Sequence, residues 1–436
     1  MRRFLFTLLF TVLLAGLRAQ TFYDIQPLLL KKCGTCHNPG DAAPFPLLTY
    51  EDFTKRLAFI REVVSTGYMP PWQADTSYSC FANQRGLTEA EKQQIISWID
   101  HKAPKGKTSK NQPVIGSTAD DPLQGRKPDL VLKTTTPFLV KGDNTERFIE
   151  YKIPFELPAE KAIEAVEFVT NNKKVVHHIN YGFYDVPDAS IDLKAGVSII
   201  DPQEHPEHRD AFDQYKRKMV YYTGWIPGAS TEYYPGVFGW TLPARGVVIF
   251  TTHYAAIAAN EESIVGIHLY FKDKPVDRPV RIISLGSGGV GERDIKPALM
   301  IPPNQVSSYE LKMRTPQEQS LLYVWPHMHF LGKSFKAFVV TPGQDTIPLI
   351  NIPQWDFRWQ ELYRFKKPVH IPKGSIIHMI GEYDNTNNNP LNPNKPPKYV
   401  FSRGSMKSDD EMFTLLLIYV PYVEGDENIA LDDIVH

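Results

Sequence analysis

Beyond Asp129 the chain is built of short runs rich in Val, Ile, Phe, Tyr and Thr, cut by Pro, Gly and Asn at intervals that suit an all-β sandwich. Lys174 to Tyr184, Gly246 to Ala255, Leu321 to Val340, Gly374 to Tyr383 and Met412 to Tyr422 read as strand regions. Roughly 300 residues are generous for one sandwich, so two are expected, meeting near 275–285. No short-period repeat interrupts this texture.

The N-terminal part follows another rule. Tyr50 to Ser65 carries apolar residues at helical spacing, and Thr88-Glu89-Ala90-Glu91 is an N-cap signature for a helix reaching Trp98. A small α domain is expected over 20–103, with an exposed Lys-, Pro-, Gly- and Ser-rich linker over 104–127. That composition suits a domain that swings and a domain that is pinned equally well. Residues 128–278 and 279–436 would form the two sandwiches. Ahead of all this, Arg2 and Arg3 precede an apolar run from Phe4 to Leu17, and Leu17-Arg18-Ala19 offers a small-residue cleavage site. Residues 1–19 therefore read as a signal peptide, and the mature chain is expected in the periplasm or secreted. No later stretch approaches the roughly 18 uninterrupted apolar residues of a membrane span. A net charge of −1 with interspersed signs gives no footprint for nucleic acid or anionic lipid. Three cysteines cannot brace a chain of 436 residues, so packing and metals must.

Two of those cysteines form Cys33-Gly34-Thr35-Cys36-His37, the attachment pattern of a c-type haem. Its thiols, one helical turn apart, add to the haem vinyl groups, and His37 offers an imidazole to the iron. A redox dithiol or half a zinc site would need a βαβ pattern or a second cysteine pair, and neither is present. Met69, in Gly67-Tyr68-Met69-Pro70-Pro71-Trp72, is the expected opposite axial ligand, with His101 as runner-up. This stretch resembles class I cytochromes c. The resemblance implies one covalent haem c that carries electrons rather than oxygen.

The β region holds further candidates for metal ligation: His177-His178, His253, His327-Met328-His329 and Met412. Residues two apart on a strand share a face, so His327 and His329 can converge on one ion. His177 and His178 face opposite sides of an ideal strand, and sharing an ion then needs a bulge, a twist or use of the other ring nitrogen. Imidazole suits copper, zinc and iron alike, whereas the thioether of Met412 selects Cu(I). An iron site of two histidines and a carboxylate, from Glu411 or Asp410, is the alternative. His205, His208, His268, His370 and His378 are given no site, and Cys80 reads as a leftover thiol.

Taken together, the His-His pair, His253-Tyr254, His327-x-His329 with Leu331-Gly332-Lys333 behind it, Glu411-Met412, and Gly224-Trp225-Ile226-Pro227-Gly228 resemble the copper type II, ascorbate-dependent monooxygenases. That family includes the peptidylglycine and dopamine β-monooxygenases, and the resemblance covers roughly Asp129 to Tyr422. It implies two jelly rolls and two copper ions, one held by His177, His178 and His253, the other by His327, His329 and Met412. It further implies hydroxylation of a substrate C–H with O2. The thioether site would activate O2 and the three-histidine site would hold the second electron. A fused cytochrome would take the place of ascorbate, passing electrons from an external one-electron donor to the first copper and on to the second. Trp325 stands where peptide-amidating members place a carboxylate-binding arginine, and Leu416 where they place a tyrosine. These departures point to a small, fairly apolar organic substrate. The family's disulfides are absent, since Cys80 is the only cysteine outside the haem motif. An electron-transfer or copper-binding protein on the same scaffold, without oxygenase activity, is the competing expectation.

Overall fold

The structure, a computed structural model, describes residues 20–107, 123, 125–229, 231–402 and 410–431. The expected signal peptide lies outside the described residues, as does most of the expected linker. The described chain is mostly β, arranged in several sheets that fit a β-sandwich fold. No helix among the described residues is long and apolar enough to cross a membrane.

Four α-helices precede the sheets: Phe22–Leu29, Tyr50–Thr54, Leu57–Ser65 and Glu89–Asp100. Thr88 and Glu91 close a reciprocal capping box at the start of the last one, as the sequence signature requires. The helix expected over Tyr50 to Ser65 is two helices. Arg56 leaves helical conformation at φ −138° and lays its guanidinium over the Phe45 ring, 4.2 Å from the centroid. Phe22, Leu29, Phe53, Ile60, Ile95 and Trp98 fill a separate core between these helices.

In the first β region one sheet runs Ile199–Ile200, Arg147–Glu156, Arg245–Tyr254, Val176–Asp185, Met219–Trp225. The other runs Leu130–Lys133, Val265–Phe271, Lys161–Thr170, Phe238–Leu242, Arg278–Pro279. Sheet membership changes between Pro279 and Arg281. From there one four-stranded sheet orders Arg281–Gly286, Thr414–Pro421, Gln319–His327, Tyr363–Ile371. Its partner orders Val306–Arg314, Ile376–Asp384, Gly332–Val340, Thr346–Ile352. Ile376–Asp384 alternates buried and half-buried residues, as a strand with one wet face should. Thr414–Pro421, Thr-Leu-Leu-Leu-Ile-Tyr-Val-Pro, sits inside its sheet and is buried on both faces up to its last residue, which explains its unbroken apolar run. The span Leu321 to Val340 is two strands, parted by a turn at Phe330 and Leu331.

The two β regions share one continuous apolar core. The Tyr323 hydroxyl donates to the Tyr233 carbonyl at 2.7 Å, and the Trp325 ring lies over Gly224, where a Cβ would come within 2.4 Å of it. The N-terminal unit is pinned to both. The Asp75 and Ala82 amides donate to the carbonyls of Asn351 and Arg364 at 2.8 and 2.7 Å. Gln73 Nε2 donates to the Asp356 carbonyl at 2.9 Å, and Lys173 of the first β region pairs with Asp41 at 3.0 Å.

Candidate functional site

His178 lies in Val176–Asp185 and faces His253 of the neighbouring strand Arg245–Tyr254. Their register then slips: His253 pairs with His178, but Tyr254 pairs with Val176, leaving His177 as the extra residue of a β-bulge. The bulge turns His177 toward the face that His178 already occupies. Nδ1 of His177 lies 3.2 Å from Nδ1 of His178 and 3.1 Å from Nδ1 of His253, and the remaining pair is 3.4 Å apart. Three nitrogens at about 2.0 Å from one tetrahedral ion would be about 3.3 Å apart. The residues therefore fit a single metal ion.

Around this cluster, Phe148 stacks on the His253 ring at 4.1 Å and Glu146 Oε2 lies 3.4 Å from His253 Nε2. Burial pushes the His178 imidazole well below its ordinary value, and burial with the neighbouring His253 takes His177 down to about 4. Both rings are thus neutral near pH 7, the form that binds metal.

His327 ends the strand Gln319–His327, whereas His329 lies in the turn beyond it. Strand alternation alone does not bring them together; their neighbours do. His329 Nδ1 bonds the Asp410 carbonyl at 2.9 Å and His327 Nδ1 bonds the Gln360 side-chain oxygen, so the two Nε2 atoms converge to 3.1 Å. Burial and the nearby His329 push the His327 imidazole down to about 3. Glu411 lies fully buried at the centre of the turn and accepts the amides of His329, Leu331 and Met412 at 2.9, 2.7 and 3.3 Å. Both its oxygens are committed to backbone, so it serves as a brace rather than as the carboxylate of an iron site. Burial raises its carboxyl to about 8 despite those donors. The backbone of Met412 is tied to this brace and its carbonyl accepts the Tyr383 hydroxyl at 2.6 Å, but its side chain does not line the cavity that His327 and His329 share.

Both histidine groups open on one cavity of about 10 Å³, lined by His178, His253, His327, His329, Phe148 and Phe357. Phe357 is in contact with both groups, its ring centre 5.5 Å from that of His178 and 5.6 Å from that of His329. Phe357, Gln360, Glu411 as a brace, Glu146 and Phe148 carry no spacing signal in the sequence. They are found only once the loops are in place.

At the N-terminal unit, the His37 amide bonds the Cys33 carbonyl at 2.9 Å, placing Cys33, Cys36 and His37 on one turn. His37 Nδ1 bonds the Phe45 carbonyl at 2.9 Å, which leaves Nε2 for a metal. Both thiols are unpaired, as is Cys80, so no disulfide forms between these residues. This turn thus brings together the two thiols and the imidazole that the haem attachment pattern calls for. Met69 follows the Leu57–Ser65 helix, its amide on the Val63 carbonyl at 3.0 Å. His101 caps the last helix, its Nδ1 2.7 Å from the Ser97 carbonyl oxygen at the surface. His205, Glu207 and His208, to which the sequence assigns no site, bring one ligand atom each within 4.8 Å on an exposed turn.

No protein-family model and no curated protein matches the chain. Solved structures that resemble it include the infectious bursal disease virus VP2 subviral particle, at 7% identity over 67% of this chain and 76% of that one, with a TM-score of 0.16. A Bacillus subtilis oxalate decarboxylase is similar at 8% identity over 75% and 88%, with a TM-score of 0.14. Overlaps this slight carry neither fold nor function to the chain.

Proposed function

We propose that this protein is an exported haem- and copper-containing monooxygenase that hydroxylates a small, fairly apolar substrate at a C–H bond with O2, its electrons passing through the N-terminal cytochrome unit. The observation that carries the reading is the convergence of His177, His178 and His253 on one point, beside a second pair, His327 and His329, facing the same cavity. On this reading the two β regions are the jelly rolls of the copper type II monooxygenases, and Met412 completes the second site. Cys33, Cys36 and His37 hold haem c, with Met69 as the other axial ligand. Copper at these sites would supply one-electron chemistry with O2 and removal of hydrogen from carbon.

The chain's own groups prepare the site. Asp410 and Gln360 fix the tautomers of His329 and His327. Glu411 holds the turn that carries His329 and Met412. Phe148 and Phe357 keep the imidazoles in a dry setting, where bound charge is poorly screened. Trp325 leaves no guanidinium for a substrate carboxylate, in keeping with an apolar substrate.

A second reading, an electron-transfer or copper-binding protein without oxygenase activity, is favoured by the size of that cavity, which holds about one water. Metal and haem analysis of periplasmically matured protein, beside Met412→Ala and His253→Ala, tests the cofactors. Two coppers and one haem, with about one copper lost in each variant, support both readings. Zinc or no metal in the wild type refutes both. Oxygen uptake that rises with added substrate then selects the monooxygenase, and haem redox cycling without it selects the carrier.

A further inference from the structure

We propose that a second cavity, where the N-terminal unit meets both β regions, binds a small monocarboxylate with a short apolar tail, its carboxylate held between Arg364 and Glu232.

The cavity measures about 100 Å³, against about 10 Å³ for the one between the histidine groups. Asn83 reaches it from the N-terminal unit, Trp225 and Glu232 from the first β region, and Tyr323 and Arg364 from the second. The two cavities share no lining residue, although Gln360 lines the larger one and bonds His327 of the smaller. The larger site therefore needs neither metal nor haem.

The charges around it are matched except at one point. Glu361 accepts Arg85 Nη2 on one oxygen and Asn83 Nδ2 on the other. Glu167, half-exposed, accepts His268 Nδ1 and the Tyr270 hydroxyl, each at 3.0 Å. Lys173 pairs with Asp41 at 3.0 Å. Arg364 differs: its buried Nε has no hydrogen-bond partner, and among the described residues no carboxylate lies within ion-pair distance of its guanidinium. A guanidinium without a counter-charge in a poorly screened setting favours an anion, and its planar fork of N–H donors matches a carboxylate.

Glu232 supplies the second hold. It is 7% exposed, its Oε1 takes the hydroxyls of Tyr221 and Tyr234, and its Oε2 has no partner. Burial raises its carboxyl to about 8, so near neutral pH it keeps a proton, and that proton belongs on the oxygen that receives no donor. Oε2–H is then a buried donor without an acceptor, as Arg364 Nε is. A cation entering here would meet two donors and no uncommitted acceptor, whereas a carboxylate satisfies both. Phe168, Trp225, Ile226 and Leu362 add apolar wall, which suits a carbon tail better than a fully polar ion such as phosphate. Since a cavity of about 150 Å³ takes benzene, this one takes roughly four to six non-hydrogen atoms, the size of propionate.

The test is calorimetric titration of the intact protein with propionate, propylamine and inorganic phosphate near neutral pH. Saturable binding of propionate is expected, about ten-fold or more weaker in Arg364→Gln and retained in His253→Ala. Absence of saturable propionate binding overturns the proposal, as does tighter binding of propylamine or phosphate. Unchanged affinity in Arg364→Gln overturns it too, and loss of binding in a folded His253→Ala would move the ligand to the histidine cavity with the same result. If Arg364→Gln fails to fold, crystals of the wild type soaked in bromopropionate decide: an anomalous bromine peak between Phe168, Trp225 and Arg364 supports the site, and a peak only elsewhere refutes it.

Discussion

The buried carboxylate of Glu411 receives the backbone N–H of His329 at 2.9 Å, so the residue beside one candidate ligand, Met412, holds another in place. Glu411→Ala would leave the amides of His329, Leu331 and Met412 without this acceptor, at about 1–3 kcal/mol for each donor that stays buried. Chemical denaturation should show that loss. Copper titration should show weakened binding at the His327 site while the three-histidine site keeps its affinity. A variant with wild-type stability and equal affinities would contradict the role of Glu411 as a brace.

Gly228 has a φ of +78° and no room for a side chain against Cys36 and Arg85. Gly228→Ala should cost about 1–2 kcal/mol for the left-handed backbone alone, and should also push the N-terminal unit off its seat. A lower Tm together with faster proteolytic release of an N-terminal fragment is the expected outcome. Unchanged proteolysis would mean that the seat tolerates a methyl group.

Glu232 is buried, with the hydroxyls of Tyr221 and Tyr234 on one oxygen and no hydrogen-bond partner on the other. Burial raises its carboxyl to about 8. Between the ordinary carboxyl range and that value the folded chain keeps a proton that the unfolded chain has lost. This contribution to stability is therefore complete at low pH and declines, by about 1.4 kcal/mol per pH unit at most, as pH rises toward 8. Glu232→Gln should flatten the slope between about pH 5 and about pH 8 in a series of urea unfolding curves. An unaltered slope would assign the dependence to other groups.

The same bookkeeping has the opposite sign for His177, His178 and His327, whose imidazoles burial holds down. The unfolded chain takes up protons at these residues first, so metal-free protein should lose stability as pH falls below about 6.5. At pH 7 these three rings have no proton to surrender. Calorimetric titration of the apoprotein with copper in buffers of different ionisation enthalpy should then give nearly the same heat, and a strong buffer dependence would show that the rings start out charged.

The histidines were legible as candidate ligands by residue type, and the structure brings His177, His178 and His253 together and sets His327 beside His329; the place of Met412 among them rested on the resemblance alone. The strand texture was legible because Ile376–Asp384 alternates and Thr414–Pro421 does not. The bulge at His177 was visible only as a conflict, two adjacent histidines that an ideal strand sends to opposite faces; the register slip at Tyr254 resolves it. The break at Arg56 was hidden because it goes with a contact to Phe45, eleven residues away and outside the periodic segment. Gln360, Glu361 and Arg85 were illegible for the same kind of reason. Polar residues in loops acquire a role from what lies across an interface, and Arg85 and Glu361 are separated by 276 positions.

The unbroken apolar core that runs through both β regions has a mechanical consequence. Two sandwiches joined by a polar seam could rock about a hinge, but parting these two would wet Tyr323, Trp325 and their neighbours. Large rigid-body opening is thereby disfavoured, and heating should melt both halves in one cooperative step. Access to the imidazoles must then come from local movement, and Phe357, which touches both histidine groups from a stretch without regular secondary structure, stands at that cavity.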